Sequence, residues 1–560
     1  MSKTENFVQF DFQKMQSNTD FDKIGDNACP LIINGEIGKD KVIKKRNGSL
    51  VSSIPAPTGS TIQGITEFVQ YSGYRELRAV SAGNIYKGVY SGSNVIWSQI
   101  ASSQFNTTDK VQMANLNNRI YYVAPNTPMF SEDINGQFYI TGQGGNEIQA
   151  NNIIVSQNTL LVGNVTAIGG PINSLINVTT SNNTYQIANP QLSNMQPVAQ
   201  SNRTYFSYSG TPTLSDQLYT PYYQQNTMAT SLNYIDLLQP TLNSYDFPIV
   251  SLSYHWTKEK MYSFDVTKVS VYQGLNEVAE VGCCSNRAAT STNNGWLVWM
   301  DTTGRPWAYA GVGQPKSLYD EISDGLSGQG LIQSINPSSL PNVCSGSIYN
   351  YIYFYIGTIN YFGQTLNNII LKGTISQNLP PYYLTIKWSL DQYPEAISQF
   401  VRGFVNGQQQ LFAIAANSTN VYLMNQQGVY KDGNTNVNLQ VYSKFYSFGD
   451  PLSSTEITDL IVKYKPTTTN SNINISYATD LNLTYTPTSN ATLATKGGVI
   501  NMYDSNSNKL DDVGKILLPV IQRFRTISFL FQNNDNNNCE ISAIGATIVN
   551  KPLDILPKSS

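Results

Sequence analysis

Apolar residues in this chain fall in short runs that end in glycine, asparagine, aspartate or proline, and few recur with a helical period. The pattern predicts an all-β protein. Runs at 77–80, 85–90 and 95–100 are separated by Ala82-Gly83-Asn84 and Ser91-Gly92-Ser93-Asn94, the spacing of an up-and-down meander. A fourth strand is expected at 111–113, and 116–124 begins a second sheet of the same kind. Comparable units recur. One is the hairpin at 294–310 with its turn at Thr302-Thr303-Gly304, and another joins 348–358 to 368–372. A third passes through 401–405, Asn406-Gly407, 411–415 and 421–424. Each sheet alone would leave faces and edges uncovered. Radial packing about an axis covers them, so a β-propeller-like domain is the expected architecture, with stacked sandwiches as the alternative.

Between about 166 and 247 the runs give way to sequence rich in Asn, Ser, Thr, Gln and Tyr. This reads as a polar insertion: either a loop or subdomain that orders against a neighbouring chain, or a polar surface excursion. After Tyr446-Ser447-Phe448-Gly449-Asp450-Pro451, runs at 457–464, 473–477, 516–521, 525–532 and 540–549 predict a C-terminal β-sandwich. The expected division is an N-terminal arm at 1–60 whose first strand or strands close the propeller, the propeller at 61–445 with its insertion, and the sandwich at 446–560. One short helix is expected at 318–326. Ser317 would cap it, Asp320 and Glu321 would occupy its first turn, and Leu318, Ile322 and Leu326 would share a face.

Charge changes the functional picture more than the fold. Lys, Arg, Asp and Glu make up 13% of the 560 residues, about half the usual share, and the net charge is -3. A protein that grips nucleic acid through its phosphates needs clustered cations, and none are visible here. The first 21 residues lack the apolar core of a secretory signal, and the aromatic stretch 348–356 is too short to cross a bilayer. Cys29, Cys283, Cys284, Cys344 and Cys539 are scattered and odd in number, which reads as reduced thiols in a protein assembled in a cytoplasm.

The candidate chemistry is sparse. His255 is the single histidine, and Tyr254-His255-Trp256 is a strand-like aromatic run, so a structural role is expected over a nucleophile relay. Zinc lacks paired ligands, and no phosphate-binding glycine loop of either common type occurs. Asp504-Ser505-Asn506-Ser507-Asn508 begins like a calcium loop, but Lys509 stands in place of the turn glycine and Lys515 in place of the bidentate glutamate. Asp320, Glu321 and Asp324 could be read as a glycosidase acid and base, although capping of the expected helix accounts for them. Trp296, Trp299, Trp307 and Tyr309 could stack on sugars or on a partner, although alternation along strands would send half of them into the core. Triplets such as Asn202-Arg203-Thr204 and Asn417-Ser418-Thr419 carry no weight without a secretory signal. No catalytic, cofactor-binding or metal residue is assigned on this reading.

Three places resemble the tail hub or nozzle proteins of short-tailed bacteriophages, the group that includes packaged-DNA stabilisation proteins. Asn27-Ala28-Cys29-Pro30 followed by Lys45-Arg46-Asn47-Gly48-Ser49 is similar to that family's opening segment, in which an Arg-x-Gly turn precedes the first propeller strands. Trp307-Ala308-Tyr309-Ala310-Gly311 leading into Gln314-Pro315-Lys316-Ser317 resembles its strand, proline turn and helix start. Residues 450–464, Arg523-Phe524-Arg525-Thr526-Ile527-Ser528 and Ile541-Ser542-Ala543-Ile544 look like the sandwich that follows. The resemblance implies a homo-oligomeric ring, commonly of six copies, in the virion tail, below the portal and head-tail adaptor. Such a ring continues the DNA channel, retains the packaged genome, carries fibres or spikes, and is assembled in the bacterial host cytoplasm. A sparsely charged lumen would let genomic DNA pass without sequence-specific binding. The alternative is a carbohydrate- or receptor-binding β-propeller adhesin of the tail.

Overall fold

The computed structural model describes residues 3–10, 12–38, 40–92, 94–140, 148–156, 159–168, 175–179, 184–188, 196–197, 203–206, 233–236, 243–247, 252–264, 275–323, 330–448, 453–465, 472–487, 499–501 and 513–552. The protein is all-β, and its larger part is a β-propeller. Among the described residues, seven antiparallel sheets, each with a four-stranded path, follow one another along the chain. The first consists of Ile62–Val69, Arg75–Ser81, Asn84–Ser91 and Asn94–Ala101. The next five lie within 112–140, 148–236, 243–279, 289–317 and 344–392. The seventh takes Ile397–Val405, Gln408–Ala415 and Asn420–Gln426 from late in the chain and completes itself with Gly48–Ser53 from near the start. The first strands of the seven sheets touch one another in cyclic order, the seventh against the first, so they line the axis and the sheets radiate as blades.

The packing explains why the middle strands read as unbroken apolar runs. A central strand of a blade is buried on both faces, against the blade before and the blade after. In Tyr351–Tyr361 of the sixth blade, Ile352, Phe354 and Ile356 join the core shared with the fifth blade, while Tyr353 and Tyr355 join the core shared with the seventh. In the second blade, Ile120, Tyr122 and Ala124 face the first, and Tyr121 and Val123 face the third. Tight turns link these strands where the sequence calls for them. Ala82-Gly83 and Asn406-Gly407 both take positive φ at two successive residues, the geometry of two-residue hairpin loops.

Three expectations are corrected. The fourth strand of the first blade is Ile62–Val69, ahead of the meander, and the run expected there at 111–113 instead leads into Gln112–Leu116, the inner strand of the second blade. Each blade is built from the axis outwards, so the missing strand had to come first. The stretch 166–247 holds strands of two blades. Arg203–Phe206 and Asn233–Asp236 complete the third, and Asn243–Phe247 opens the fourth. The short hairpin Leu175–Thr179 with Thr184–Ala188 falls between the third blade's second and third strands, and most of the remaining insertion lies outside the described residues. The expected helix at 318–326 is not formed over its described part. Lys316–Ser317 pairs with the outer part of Pro306–Tyr309, and a single turn follows in which the Ile322 and Ser323 amides donate to the Tyr319 carbonyl. Leu318 and Ile322 are still buried, which satisfies the same apolar spacing without a helix.

The C-terminal β-sandwich has two sheets. One is built on Val513–Phe524, Ser453–Lys465 and Glu540–Pro552; Lys3–Phe10 and Ile43–Lys45 pair along the outer edge of Glu540–Pro552, and Gly35–Ile37 follows. The other runs through Leu31–Ile33, Leu439–Tyr442, Thr526–Asn533 and Asn472–Thr479. Through Leu31–Ile33 it meets the sixth blade at a parallel bridge between Ile33 and Leu390. Residues 446–560 thus supply five long strands of the sandwich, and the N-terminal residues supply the strands that bind it to the propeller. Ile457, Phe529 and Ile544 of the sandwich share one continuous core with Trp256, Trp299 and Phe354 of the fourth, fifth and sixth blades.

Candidate functional site

The chain crosses from sandwich to propeller at Arg46-Asn47, between Ile43–Lys45 and Gly48–Ser53. Gly48 is required by close approach: a Cβ there would lie 2.0 Å from the Lys431 carbonyl oxygen. Arg46 is buried at this crossing and reaches three separate parts of the chain, at 34, 391–393 and 432. Its Nε donates to Asn34 Oδ1 at 2.9 Å, and its Nη2 donates to the Gln392 carbonyl at 3.0 Å. Two further bonds, 3.1 Å from Nη1 and 2.5 Å from Nη2, grip the Asp432 carboxylate bidentately. The guanidinium also stacks 4.6 Å from the centre of the Tyr393 ring. Asp391 lies 3.6 Å from Arg46 Nε and 3.9 Å from Lys372 Nζ, and Lys372 continues to Glu36 at 3.1 Å. Charges therefore alternate through the junction, from Asp432 to Arg46, Asp391, Lys372 and Glu36.

The electrostatics fit a lock more than a reaction centre. Burial works against the Arg46 charge, but Asp432, Tyr393 and Asp391 more than offset it and hold the guanidinium above its usual range. Lys372 lowers the Glu36 carboxyl against its partial burial. Asp391 behaves oppositely. Burial raises its carboxyl despite the two nearby cations, and neither oxygen accepts a hydrogen bond. Sequence reading named Arg46 only through the Arg-x-Gly resemblance and missed the rest, because Asp391 and Asp432 lie 345 and 386 residues away along the chain.

The other candidates are dispersed. Trp296 and Trp299 are buried, with indole N–H groups donating to Asn378 Oδ1 at 2.7 Å and the Gly282 carbonyl at 3.1 Å. Trp307 donates to Asp301 Oδ2 at 2.9 Å, and Tyr309 is buried, so these four rings form no exposed platform. Glu321 pairs with Lys14 at 3.1 Å, which ties the N-terminal arm to the fifth blade, and Asp320 accepts locally from the Ser317 hydroxyl at 3.0 Å. Asp324, the 504–510 segment and Asn202 lie outside the described residues, and so does the side chain of Lys515. All five cysteines are buried and unbridged. Burial pushes the thiols of Cys29, Cys283, Cys344 and Cys539 up to about 12 and Cys284 well above its ordinary value. Among the described residues no group of three or more His, Cys, Asp or Glu side chains gathers in a metal-ligating cluster, and no helix is long and apolar enough to cross a membrane.

His255 is buried in the fourth blade, its Nε2 3.1 Å from Ser253 Oγ. Burial holds its imidazole down at about 4, against 6.5 for an unhindered side chain. The folded protein thus keeps it neutral while the unfolded chain takes up a proton below 6.5. Stability is expected to be complete above that value and to fall as the pH drops from 6.5 towards 4, by up to about 1.4 kcal/mol per pH unit from this group. Urea titrations across that window check it, since His255→Gln should flatten this part of the slope.

A surface feature missed in the sequence is the long hairpin of the sixth blade, Gln364–Leu379 with Tyr383–Gln392. Its tip exposes Leu379, Tyr382 and Tyr383, the last two at 68% and 65%. The Lys316 ammonium donates to the Tyr382 carbonyl and so anchors the tip to the fifth blade. Pro380-Pro381 followed at once by Tyr382-Tyr383 was the available signal.

No protein-family model and no curated protein matches the chain. Among solved structures it is similar to YCF48 from Cyanidioschyzon merolae, with 9% identity and a TM-score of 0.35 over 67% of this chain and 98% of that one. It is also similar to a chain of the crystal structure of the mitotic checkpoint complex, with 8% identity and a TM-score of 0.37 over 67% of this chain and 93% of the other. Neither likeness bears on function.

Proposed function

We propose that this protein is a structural component of a tailed bacteriophage virion, a hub or nozzle subunit that forms a ring in the tail, continues the DNA channel, retains the packaged genome and carries fibres. The observation that carries the reading is where the three segments of the resemblance meet. Cys29 from the opening segment, Ala308 and Tyr309 from the middle one, and Phe524, Ile527, Ile541 and Ile544 from the last all contribute to one continuous core. Arg46 of the opening segment locks the propeller to the sandwich beside that core. A subunit of a pressurised conduit needs this kind of welded, two-part body more than it needs a reactive pocket.

Sparse charge supports the same reading, because a lumen without clustered cations gives passing DNA no strong counter-charge to bind. The exposed Leu379, Tyr382 and Tyr383 tip suits a contact with a neighbouring tail protein, in which aromatic area and polar tips work together. Electron microscopy of the full-length protein and of virions is the test. The expected result is a closed ring of copies coaxial with the tail channel. A protein that stays monomeric and is absent from particles overturns the proposal.

A further inference from the structure

The loop that leads into the fifth blade sends Arg287 towards the propeller axis. Its backbone is fixed at the sixth blade, where the Ser345 amide donates to the Arg287 carbonyl at 2.8 Å. Its side chain passes on to two more blades. Nη1 donates to the Ser398 carbonyl of the seventh blade at 3.1 Å, and Nη2 donates to the Gln63 carbonyl of the first at 2.9 Å. A longer contact of 3.4 Å reaches the Val111 carbonyl at the entry to the second blade. Arg287 Nε is shielded from solvent and makes no hydrogen bond. Beside it opens a cavity of about 550 Å³, lined by Gln63, Thr108, Lys110, Arg287, Tyr355 and Ser398 among others.

Two cations stand in this cavity without a carboxylate partner. The acceptors of Arg287 are all neutral carbonyl oxygens, and Lys110 stands exposed. Asp109 also lines the cavity but forms no ion pair with either cation; its Oδ1 accepts from Asn126 at 2.7 Å, and its buried Oδ2 accepts no hydrogen bond. Burial lowers the Arg287 guanidinium from its usual range, and burial together with Arg287 lowers the Lys110 ammonium. A buried cation without an ion-pair partner is costly, and an anion placed between Arg287 and the exposed Lys110 offsets that cost. Tyr355, whose phenol burial keeps neutral, adds a hydroxyl at the wall.

We propose that this axial cavity binds a small molecule through an oxyanion, a phosphate or carboxylate group, held between Arg287 and Lys110. The volume lies within the range of small-molecule sites and would admit a ligand of metabolite size. The Arg287 guanidinium in the cavity wall supplies one positive charge to the oxyanion, and the flexible Lys110 ammonium supplies the other. The proposal is independent of the virion assignment.

Thermal melts and calorimetric titrations of the full-length protein test it, using inorganic phosphate and citrate against sodium chloride at matched ionic strength. The expected result is stabilisation by phosphate or citrate beyond chloride, with the better of the two identifying the preferred oxyanion. Lys110→Ala should weaken that binding at least tenfold, and Arg287→Met should abolish it. Lys110 is exposed, so its variant remains informative even if Arg287→Met fails to fold. Equal behaviour of all three salts, or wild-type affinity in Lys110→Ala, overturns the proposal.

Discussion

Replacing Arg46 by methionine is expected to lower the unfolding free energy by about 3–5 kcal/mol, because it strips the buried Asp432 carboxylate of its bidentate partner. Both side chains are almost fully buried, at 1% and 3% exposure, so water cannot replace the lost donors. Asp391 would lose one of its two cations and would depend on Lys372 alone. The Arg46→Met/Asp432→Leu double variant should recover much of the loss, since removing both charges of a buried pair leaves no uncompensated ion. Urea denaturation measures the size of the effect, and hydrogen exchange locates it. Protection should fall first along 43–53, where the sandwich hands the chain to the seventh blade. A single variant with an unchanged urea midpoint would mean that the junction is not a lock.

The second large effect is expected between the first two blades. Glu132 is fully buried and accepts from Arg78 through Nε at 3.1 and 3.0 Å and through Nη2 at 2.8 Å. It also accepts the Tyr122 hydroxyl at 2.6 Å. Burial opposes the Arg78 charge, and Glu132, with Tyr122 and Glu76, more than compensates and holds the guanidinium above its usual range. Glu132→Leu should cost about 3–5 kcal/mol because Arg78 is left with Glu76 alone, a pair at 2.5 Å that already shares its carboxylate with Lys87. Arg78→Met/Glu132→Leu should be milder than Glu132→Leu. A double-mutant cycle read by urea midpoint gives the coupling, and additivity of the two single changes would refute it.

These two ion-pair sites also mark where sequence reading ends. The hairpins at 77–100, 297–309 and 401–424 are legible because their central strands carry runs of successive buried residues and each ends in a turn with its own chemistry. The N-terminal strands Leu31–Ile33, Gly35–Ile37 and Ile43–Lys45 are three residues long, too short to show any period, and they acquire strand geometry only from partners far along the chain. The helix expected at 318 illustrates the opposite error. Leu318 and Ile322 are spaced four apart because both enter one core, and a strand end followed by a turn delivers them there as well as a helix would. Arg46 carries no local signal beyond the Arg-x-Gly resemblance, since its role as a lock depends on Asp432 and Asp391, which only the closed ring brings near.

The seventh blade sets a schedule for biosynthesis. Gly48–Ser53 leaves the ribosome early, yet its partner Asn420–Gln426 follows it by roughly 370 residues, as the pairing of Ser53 with Asn420 requires. At about 5–20 residues per second the nascent chain spends roughly 20–70 s with that early segment waiting for its mate. During this interval the growing fan of blades has two open flanks, and chaperones that mask strand edges would matter most then. Once the late strand emerges the ring of blades can close, so a chain truncated anywhere before residue 420 should remain an unclasped fan and be recognised as unfinished.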